Sequence, residues 1–261
     1  MSLYLTWLDL NSWLVELDNQ RILIDPWLVG PMTFGLPAWL LQLTRLTPRP
    51  CPESIDLILL SQGLPDHTHP PSLQQLDPQI PLLCPPSALE TVQKLGFHQI
   101  SVLHHGETYA LGNIQIQATL GSPIGPLRQE NGYVLQSPAS GCSLYYEPHG
   151  YHDPALSNFA PIDVVITPIS DVHVPLLGTI IAGKTQGLEL VTAVQPQVIV
   201  PTAQPGEIQA TGLLARLLQG LDMGDTLEPD LAQLPNPPQV LHLTPGQRQE
   251  IALRHKPALS L

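Results

Sequence analysis

The sequence predicts a single α/β domain in which two β-sheets pack face to face with helices outside. Three observations carry this. Short strand-type runs recur in both halves of the 261-residue chain. Helix-type segments interrupt them in both halves, so strands and helices are not segregated. No linker or shift of composition divides the chain, and its 43% of hydrophobic residues can fill a sizeable core. One domain is therefore expected over residues 1–261.

The chain opens with "YLTWLDL", "SWLVELD" and "RILIDPW", separated by "NS" and the turn "DNQ", which read as an antiparallel meander. Residues 27–43 are apolar but broken by Gly30, Pro31, Gly35 and Pro37. That predicts an apolar loop leading into a short helix, not a transmembrane span. "DLILLSQ" is a continuous apolar run, as in a strand covered on both faces. "PPSLQQL" starts a helix with Pro in its first turn. "PLLC" is a short strand. "SALETVQKLG" is a helix with Ser87 as N-cap, Glu90 three residues on and Gly96 as its stop. "QISVL", "ETYAL" and "NIQIQAT" are strands, the last two joined by a hairpin turn at Leu-Gly-Asn. In the second half "NGYVLQS", "CSLYYEP" and "DVVITPI" are strands, "TQGLELVTAVQ" is a helix and "QVIVPTA" a buried strand. "GLLARLLQGL" reads as an amphipathic helix, and "QVLHLTP" and "QEIALRH" close the chain.

Composition excludes several function classes. Net charge is −12, and the ten Lys and Arg residues are scattered. A nucleic-acid surface needs clustered cations to neutralise phosphates, and an anionic membrane surface needs them too. Charged residues make up 12%, about half the usual share, and 30 prolines punctuate the chain with loops. Cys51, Cys84 and Cys142 show no metal-type spacing and read as buried, reduced thiols. The N-terminus lacks the basic region and cleavage site of a signal peptide. Ser61 in "LSQG" and Ser122 in "LGSPIG" lack a nucleophile context, and "AGKT" at 182–185 lacks the upstream glycine of a phosphate loop.

The segments "LTWLDLNSWLVELDNQRILIDPWL", "IDLILLSQGLPDHTHPPSL", "LETVQKLGFHQISVLHHGETYALGNIQIQAT", "SLYYEPHG", "IDVVITPIS" and "VQPQVIVPTA" occur in the order seen in metallo-β-lactamase-fold proteins. The chain resembles that superfamily from residue 3 to about residue 205, with the flavour of its ascorbate-6-phosphate-lactonase-like branch. The resemblance implies a four-layer αββα sandwich with a site at one edge, between the sheets. It also implies where ligands should stand. The early Gly-His of the family appears as Asp9-Leu10. Its H-x-H-x-D-H appears as Gln62-Gly63-Leu64-Pro65-Asp66-His67. Its middle histidine falls near Ser122 and Pro123, its Gly-Asp-Thr at Pro148-His149-Gly150, and its last histidine at Ala203. The first of the two metal subsites thus has no ligands. The second keeps Asp66 and His67, and His149 stands where the bridging aspartate would be.

Candidate metal ligands are therefore Asp66, His67 and His149. Asp66, Glu147 and Asp171 are candidates for catalytic carboxylates that orient water. His69, His152 and His173 are candidates for binding or supporting roles. Trp27, Phe34 and Trp39 in the 27–43 segment would form an apolar lid, a docking surface or plain core. Each has a bland counterpart. Asp66 can cap its turn, the loop histidines can be hydrogen-bonded scaffold, and Asp171 and His173 can simply line a groove. Asp25 in "ILIDPW" reads as a structural strand-end group, and His104 and His105 as an exposed turn.

Two functional readings compete. The favoured one is a member of the fold with a degenerate dinuclear site that binds a small molecule or a protein partner without turnover. The alternative is a hydrolase with a rebuilt mononuclear site acting on a lactone, phosphodiester or acyl bond. No cofactor is certain; one zinc, manganese or iron ion fits the second reading. Low Lys content with Pro and Gln richness suggests a cytoplasmic protein of cyanobacterial cytosol or plastid stroma.

Overall fold

In a computed structural model, described for residues 3–34, 36–124, 128–174, 178–215 and 225–254, the three opening runs form the expected meander. They are β1 (Leu3–Trp7), β2 (Trp13–Leu17) and β3 (Gln20–Ile24), paired antiparallel. The link from β2 to β3 is Asp18-Asn19, and both have positive φ, 48° and 61°. That is the backbone a tight hairpin demands, and Asp and Asn tolerate it better than most residues.

The remaining elements are β4 (Gln42–Arg45), β5 (Leu57–Leu59), α1 (Pro70–Leu73), β6 (Leu82–Cys84), α2 (Leu89–Lys94) and β7 (Ile100–Val102). Then come β8 (Thr108–Leu111), β9 (Ile114–Ile124), β10 (Arg128–Ser137), β11 (Cys142–Tyr146) and a 3₁₀ turn at Pro154–Phe159. The chain continues through β12 (Val164–Thr167), β13 (Asp171–Val174), β14 (Gly178–Ala182), α3 (Gly183–Val194), β15 (Val198–Pro201) and β16 (Ile208–Thr211). It finishes with α4 (Glu228–Leu231), β17 (Gln239–Val240) and β18 (Arg248–Ile251).

Two seven-stranded sheets result, ordered β18-β1-β2-β3-β5-β6-β7 and β17-β15-β12-β11-β10-β9-β8. In each, an antiparallel half passes into a parallel half, at β3–β5 and at β11–β12. Side-chain alternation sorts the residues into layers. Trp13, Val15, Ile22 and Ile24 face Ile116, Tyr133, Leu135, Leu144 and Tyr146 in the shared core. Leu14, Leu23, Ile58 and Leu82 point the other way, to Leu73, Val92 and Phe97 around α1 and α2. Val134, Tyr145 and Val165 meet Leu190 and Val194 of α3 on the opposite outside. The αββα sandwich expected from the resemblance is observed.

Several expectations change. Residues 38–40 make a turn and no helix forms in 27–43 among the described residues; the chain runs on into β4, which pairs with β16 as a separate two-stranded sheet. Pro37 cannot donate within a helix, and Leu43 is held extended by a bridge to Met32. Buried Asp9, at φ 71°, fastens this small sheet to the sandwich: its carboxylate meets Arg45 at 3.0 Å and Arg49 at 3.3 Å. The Arg45 guanidinium lies 4.6 Å from the centroid of Trp27. A second hairpin, β13–β14, was not legible in the sequence. Ser87 does not cap α2; Ala88 takes that place, and the Ser87 hydroxyl donates to Glu130 at 2.6 Å. Gly96 ends α2 at φ 85°, as expected. Cys51 is exposed rather than buried. Most of "GLLARLLQGL" lies outside the described residues. No helix among the described residues is long and apolar enough to cross a membrane.

The parallel halves of the sheets position the polar loops. Asp25 follows β3, Ser61 to His69 follow β5, Glu147 to His149 follow β11, and Thr202 and Ala203 follow β15. All lie beyond the carboxyl ends of parallel strands, where α/β proteins gather their ligands.

Candidate metal centre

The loop after β5 is wound tightly. The amides of His67 and Thr68 both donate to the Leu64 carbonyl, at 3.0 and 2.7 Å, and the Thr68 hydroxyl returns to the Gln62 carbonyl. This coil turns Asp66 and His67 inward. The loop after β11 brings His149 to the same point from the other sheet. Ligand-type atoms of Asp66, His67 and His149 lie within 4.8 Å of one another. Among the described residues this is the one such group.

His67 is fully buried and tightly aimed. Its Nδ1–H donates to Asp25 at 2.7 Å. The Asp25 carboxylate is itself held by the Ser61 amide at 2.7 Å, the Ser61 hydroxyl and the Tyr146 hydroxyl at 2.6 Å. A histidine whose Nδ1 is engaged by a carboxylate ligates through Nε2 once that nitrogen gives up its proton. That Nε2 lies 3.2 Å from Asp66 Oδ2 and, like Asp66 Oδ1, is buried with no hydrogen-bond partner. Orphaned buried polar atoms are uncommon in folded proteins and call for a cause.

Electrostatics follows the geometry. Burial disfavours a charged His67 ring, but the adjacent Asp66 and Asp25 outweigh it and hold its pKa at about 10. Burial opposes ionisation of Asp66; the His67 and His149 rings reverse this and keep it below the ordinary carboxylate value. His149 is pushed down to about 3 by burial and by repulsion from His67.

The neighbouring subsite is filled by protein. Gln62 Nε2 donates to Ser122 Oγ at 2.8 Å and lies 2.7 Å from His149 Nδ1. Leu64 points to solvent with 41% of its surface exposed. In the subsite that keeps Asp66 and His67, Ala203, at φ 58°, offers no ligand.

The structure does not bring the other expected residues to the triad as ligands. Glu147 is sealed in, and its Oε2 accepts from the amides of His149, Gly150 and Tyr151. Burial raises its pKa to about 7 against those donors. Asp171 is not placed to orient water: its carboxylate accepts from the Lys184 and Thr185 amides and the Thr185 hydroxyl, and so caps α3. His173 is exposed on the β13–β14 hairpin and bonds Thr179 at 2.9 Å. His69 pairs with Ser72 at 2.8 Å and packs edge-on to Trp27. His152 lies against Tyr145, 3.2 Å from its hydroxyl, and burial pushes its pKa to about 3. Asp153 caps the 3₁₀ turn. Trp27 is core, wholly buried, and Phe34 is half-buried. Only Trp39 of the three aromatics is a surface group, 69% exposed, its carbonyl accepting from the amide of equally exposed Leu213.

Asp25 is the residue the sequence undervalued. Its position at the end of β3 was a usable signal, since the loop after β5 sits on the neighbouring parallel strand. A cavity of about 870 Å³ flanks the same loops, lined by Pro85–Ser87, His104, His105, Pro123 and Arg128–Asn131. Its wall is joined to the metal loop. A side chain on Gly63 would stand 2.5 Å from the Ser87 carbonyl, and the Asn131 amide donates to the Ser61 carbonyl at 3.1 Å.

Comparison with known proteins agrees with this architecture. Igni18, a metallo hydrolase from the archaeon Ignicoccus hospitalis, superposes with a TM-score of 0.64 at 16% identity, covering 97% of this chain and 100% of its own. An isothiocyanate hydrolase from Delia radicum gut bacteria gives 0.67 at 18% identity, covering 94% and 98%. CmlA, a diiron β-hydroxylase from Streptomyces venezuelae, gives 0.63 at 17% identity over 95% of this chain and 54% of CmlA. No curated protein sequence matches the chain significantly. The model of a family described as the beta-lactamase superfamily domain matches residues 4–203. With its two sheets, its strand-end site and that match, the chain belongs to the beta-lactamase superfamily of metallo-β-lactamase fold.

Proposed function

We propose that this protein is a metal-dependent hydrolase working with a single divalent ion held by Asp66, His67 and His149. One observation carries the reading: His67 Nε2, whose nearest polar atom is Asp66 Oδ2 at 3.2 Å, and the unpartnered Asp66 Oδ1 are buried in one cluster with His149, with Asp25 aiming the ring from behind. A donor set of two imidazoles and a carboxylate suits zinc, manganese or iron and leaves positions for water and substrate. The chemistry such an ion supplies is Lewis acidity toward a carbonyl or phosphoryl oxygen and a water of lowered pKa. A second ion does not fit, because in its subsite Leu64 cannot ligate, Ser122 offers only a hydroxyl and Gln62 is a weak donor already bonded to Ser122.

The chain's own groups have defined tasks. Asp25 keeps His67 in the tautomer that ligates. Gln62 can do the same for His149. Its Oε1 is buried without a partner. Turning the amide over lets Oε1 accept from His149 Nδ1–H and from the Ser122 hydroxyl, which frees His149 Nε2. The nearby cavity is within the size range of small-molecule sites, and it is lined by residues 85–87, 90, 104, 105, 123 and 128–131, with none of the three ligands in its wall. Hydrolysis is also what the names of Igni18 and the isothiocyanate hydrolase describe, but at 16% and 18% identity those likenesses speak for the fold alone.

The test is elemental analysis of protein purified without a metal-affinity tag, before and after dialysis against zinc, manganese and ferrous iron. About one equivalent, lost in His67→Ala, is expected, followed by turnover in a screen of esters, lactones and phosphodiesters. No bound ion under any condition would return the protein to a binding role without turnover. Two equivalents would show that Gln62 and Ser122 yield to a second ion.

A further inference from the structure

The five residues 147–151 hold an unusual concentration of backbone bonds to one side chain. Glu147 has no exposed surface, yet a single oxygen, Oε2, accepts from three successive amides: His149 at 3.0 Å, Gly150, and Tyr151 at 2.9 Å. Three N–H groups converging on one oxygen form a closed ring of the chain around its own carboxylate. The other side of the loop is gripped as well. The Ala182 amide donates to the His149 carbonyl at 2.8 Å, where β14 meets α3. Gly150 sits there at φ 81°, and a Cβ on it would lie 2.7 Å from the Ala182 carbonyl carbon and the Gly183 nitrogen. The loop therefore has little freedom, and the side chain it delivers is His149.

We infer that Glu147 is a positioning residue: without touching an ion, it fixes the loop that presents His149, and so sets the affinity of the centre. The inference rests on the single-ion reading of Asp66, His67 and His149. It gives Glu147 a role besides that of a water-orienting carboxylate: Oε2 is committed to three amides, while Oε1 is buried without a partner. It also separates the two histidines by mechanism. His67 is aimed through its ring by Asp25, whereas His149, whose ring meets Gln62, is also held through its backbone by Glu147.

The experiment is a cobalt(II) titration followed by visible absorption, with amide hydrogen exchange on the metal-free protein. The variants are Glu147→Ala, Glu147→Gln and, as a control for general destabilisation, Val134→Ala. Val134 is buried in the outer core of the same sheet, opposite Tyr145 and outside residues 147–151. Wild type is expected to bind one cobalt. Glu147→Ala should weaken binding by about 10–100-fold, the usual effect of removing a group that orients a ligand, and should change the absorption bands. It should also lose exchange protection at His149, Gly150 and Tyr151. Glu147→Gln, whose amide oxygen can still accept, should recover part of the affinity. Val134→Ala should melt at a lower temperature with cobalt affinity unchanged. Wild-type affinity in folded Glu147→Ala would overturn this inference alone. An equal loss of affinity in Val134→Ala would also overturn it. Absence of cobalt binding by the wild type would overturn the single-ion reading and this inference with it.

Discussion

Two stretches of the chain carry similar ligand-type side chains and have opposite fates. Residues 66–69 hold an aspartate and two histidines just past β5; residues 171–173 hold an aspartate and a histidine in β13. In the second stretch the bonds are local. Asp171 takes two amides and a hydroxyl at the start of α3, and exposed His173 bonds a threonine across its own hairpin. In the first stretch the nearby bonds leave a remainder. His67 Nδ1 is used by Asp25, but Nε2 and Asp66 Oδ1 stay buried and unpartnered beside His149. Residue type alone does not make a site. A site needs desolvated lone pairs that converge and that the fold itself does not consume.

The contrast between the stretches depends most on His67. His67→Ala leaves Asp25 and Asp66 facing a void with no cation between them. We expect complete loss of bound ion and destabilisation of the metal-free protein by roughly 3–5 kcal/mol in urea unfolding, the scale for breaking a buried charged pair. A wild-type midpoint would mean that His67 is not charged and that the two carboxylates do not depend on it. Asp25→Asn comes next. The amide can still accept from Nδ1–H, but without charge, so ion affinity should fall about 10–100-fold while stoichiometry at saturation stays at one. Isothermal titration with zinc reads this directly, and unchanged affinity would reduce Asp25 to scaffold.

Titration with pH probes the first stretch in another way. The pKa of His67 is raised in the fold to about 10 from an ordinary value near 6.5. Its stabilising contribution is therefore complete below about pH 6.5 and is lost as pH rises through about 10. His149 is the reverse: lowered to about 3, its contribution is present above about pH 6.5 and lost as pH falls toward 3. Metal-free protein should thus lose stability between pH 7 and 10, measured by urea midpoints. Bound ion should remove that alkaline limb, because a ligating imidazole has already given up its proton. A flat profile between pH 7 and 10 without metal would contradict the charged His67.

Smaller effects belong to the second stretch and to the surface. Asp171→Ala removes a cap and should cost about 1 kcal/mol with no change in ion affinity. Weaker ion binding in that variant would place Asp171 in the site after all. Trp39→Ala, on an exposed turn, should change stability by no more than about 0.5 kcal/mol in the same urea assay.

Much of this was legible in the chain. Runs such as "DLILLSQ" and the alternation in "NIQIQAT" encode which faces are covered, and burial follows from that local pattern. The order of segments from "LTWLDL" to "VQPQVIVPTA" carried the resemblance that implied the sandwich, and matching that family's motifs pointed to Asp66, His67 and His149. Where local pattern misled, a distant partner decided. Ser87 looks like a cap, but it bonds Glu130, 43 residues away. The end of the 27–43 segment reads as a short helix, but residues 38–40 make only a turn and Gln42 and Leu43 are drawn extended to pair with β16. Trp27 reads equally as lid, docking surface or core; it is core, buried beside Arg45, which Asp9 holds in place.

The strand and helix runs depend on periodicity, so the chain alone specifies them; the four layers and the three converging side chains are what its resemblance to a known family implies. The partners of those side chains do not have a local origin. Asp25 stands behind His67 across 42 residues, Gln62 reaches His149 across 87, and Glu147 spends itself on its own loop only once that loop is closed. These pairings exist only in the assembled fold, because a buried polar atom takes its character from what remains unpaired once strands far apart in the chain have come to lie side by side.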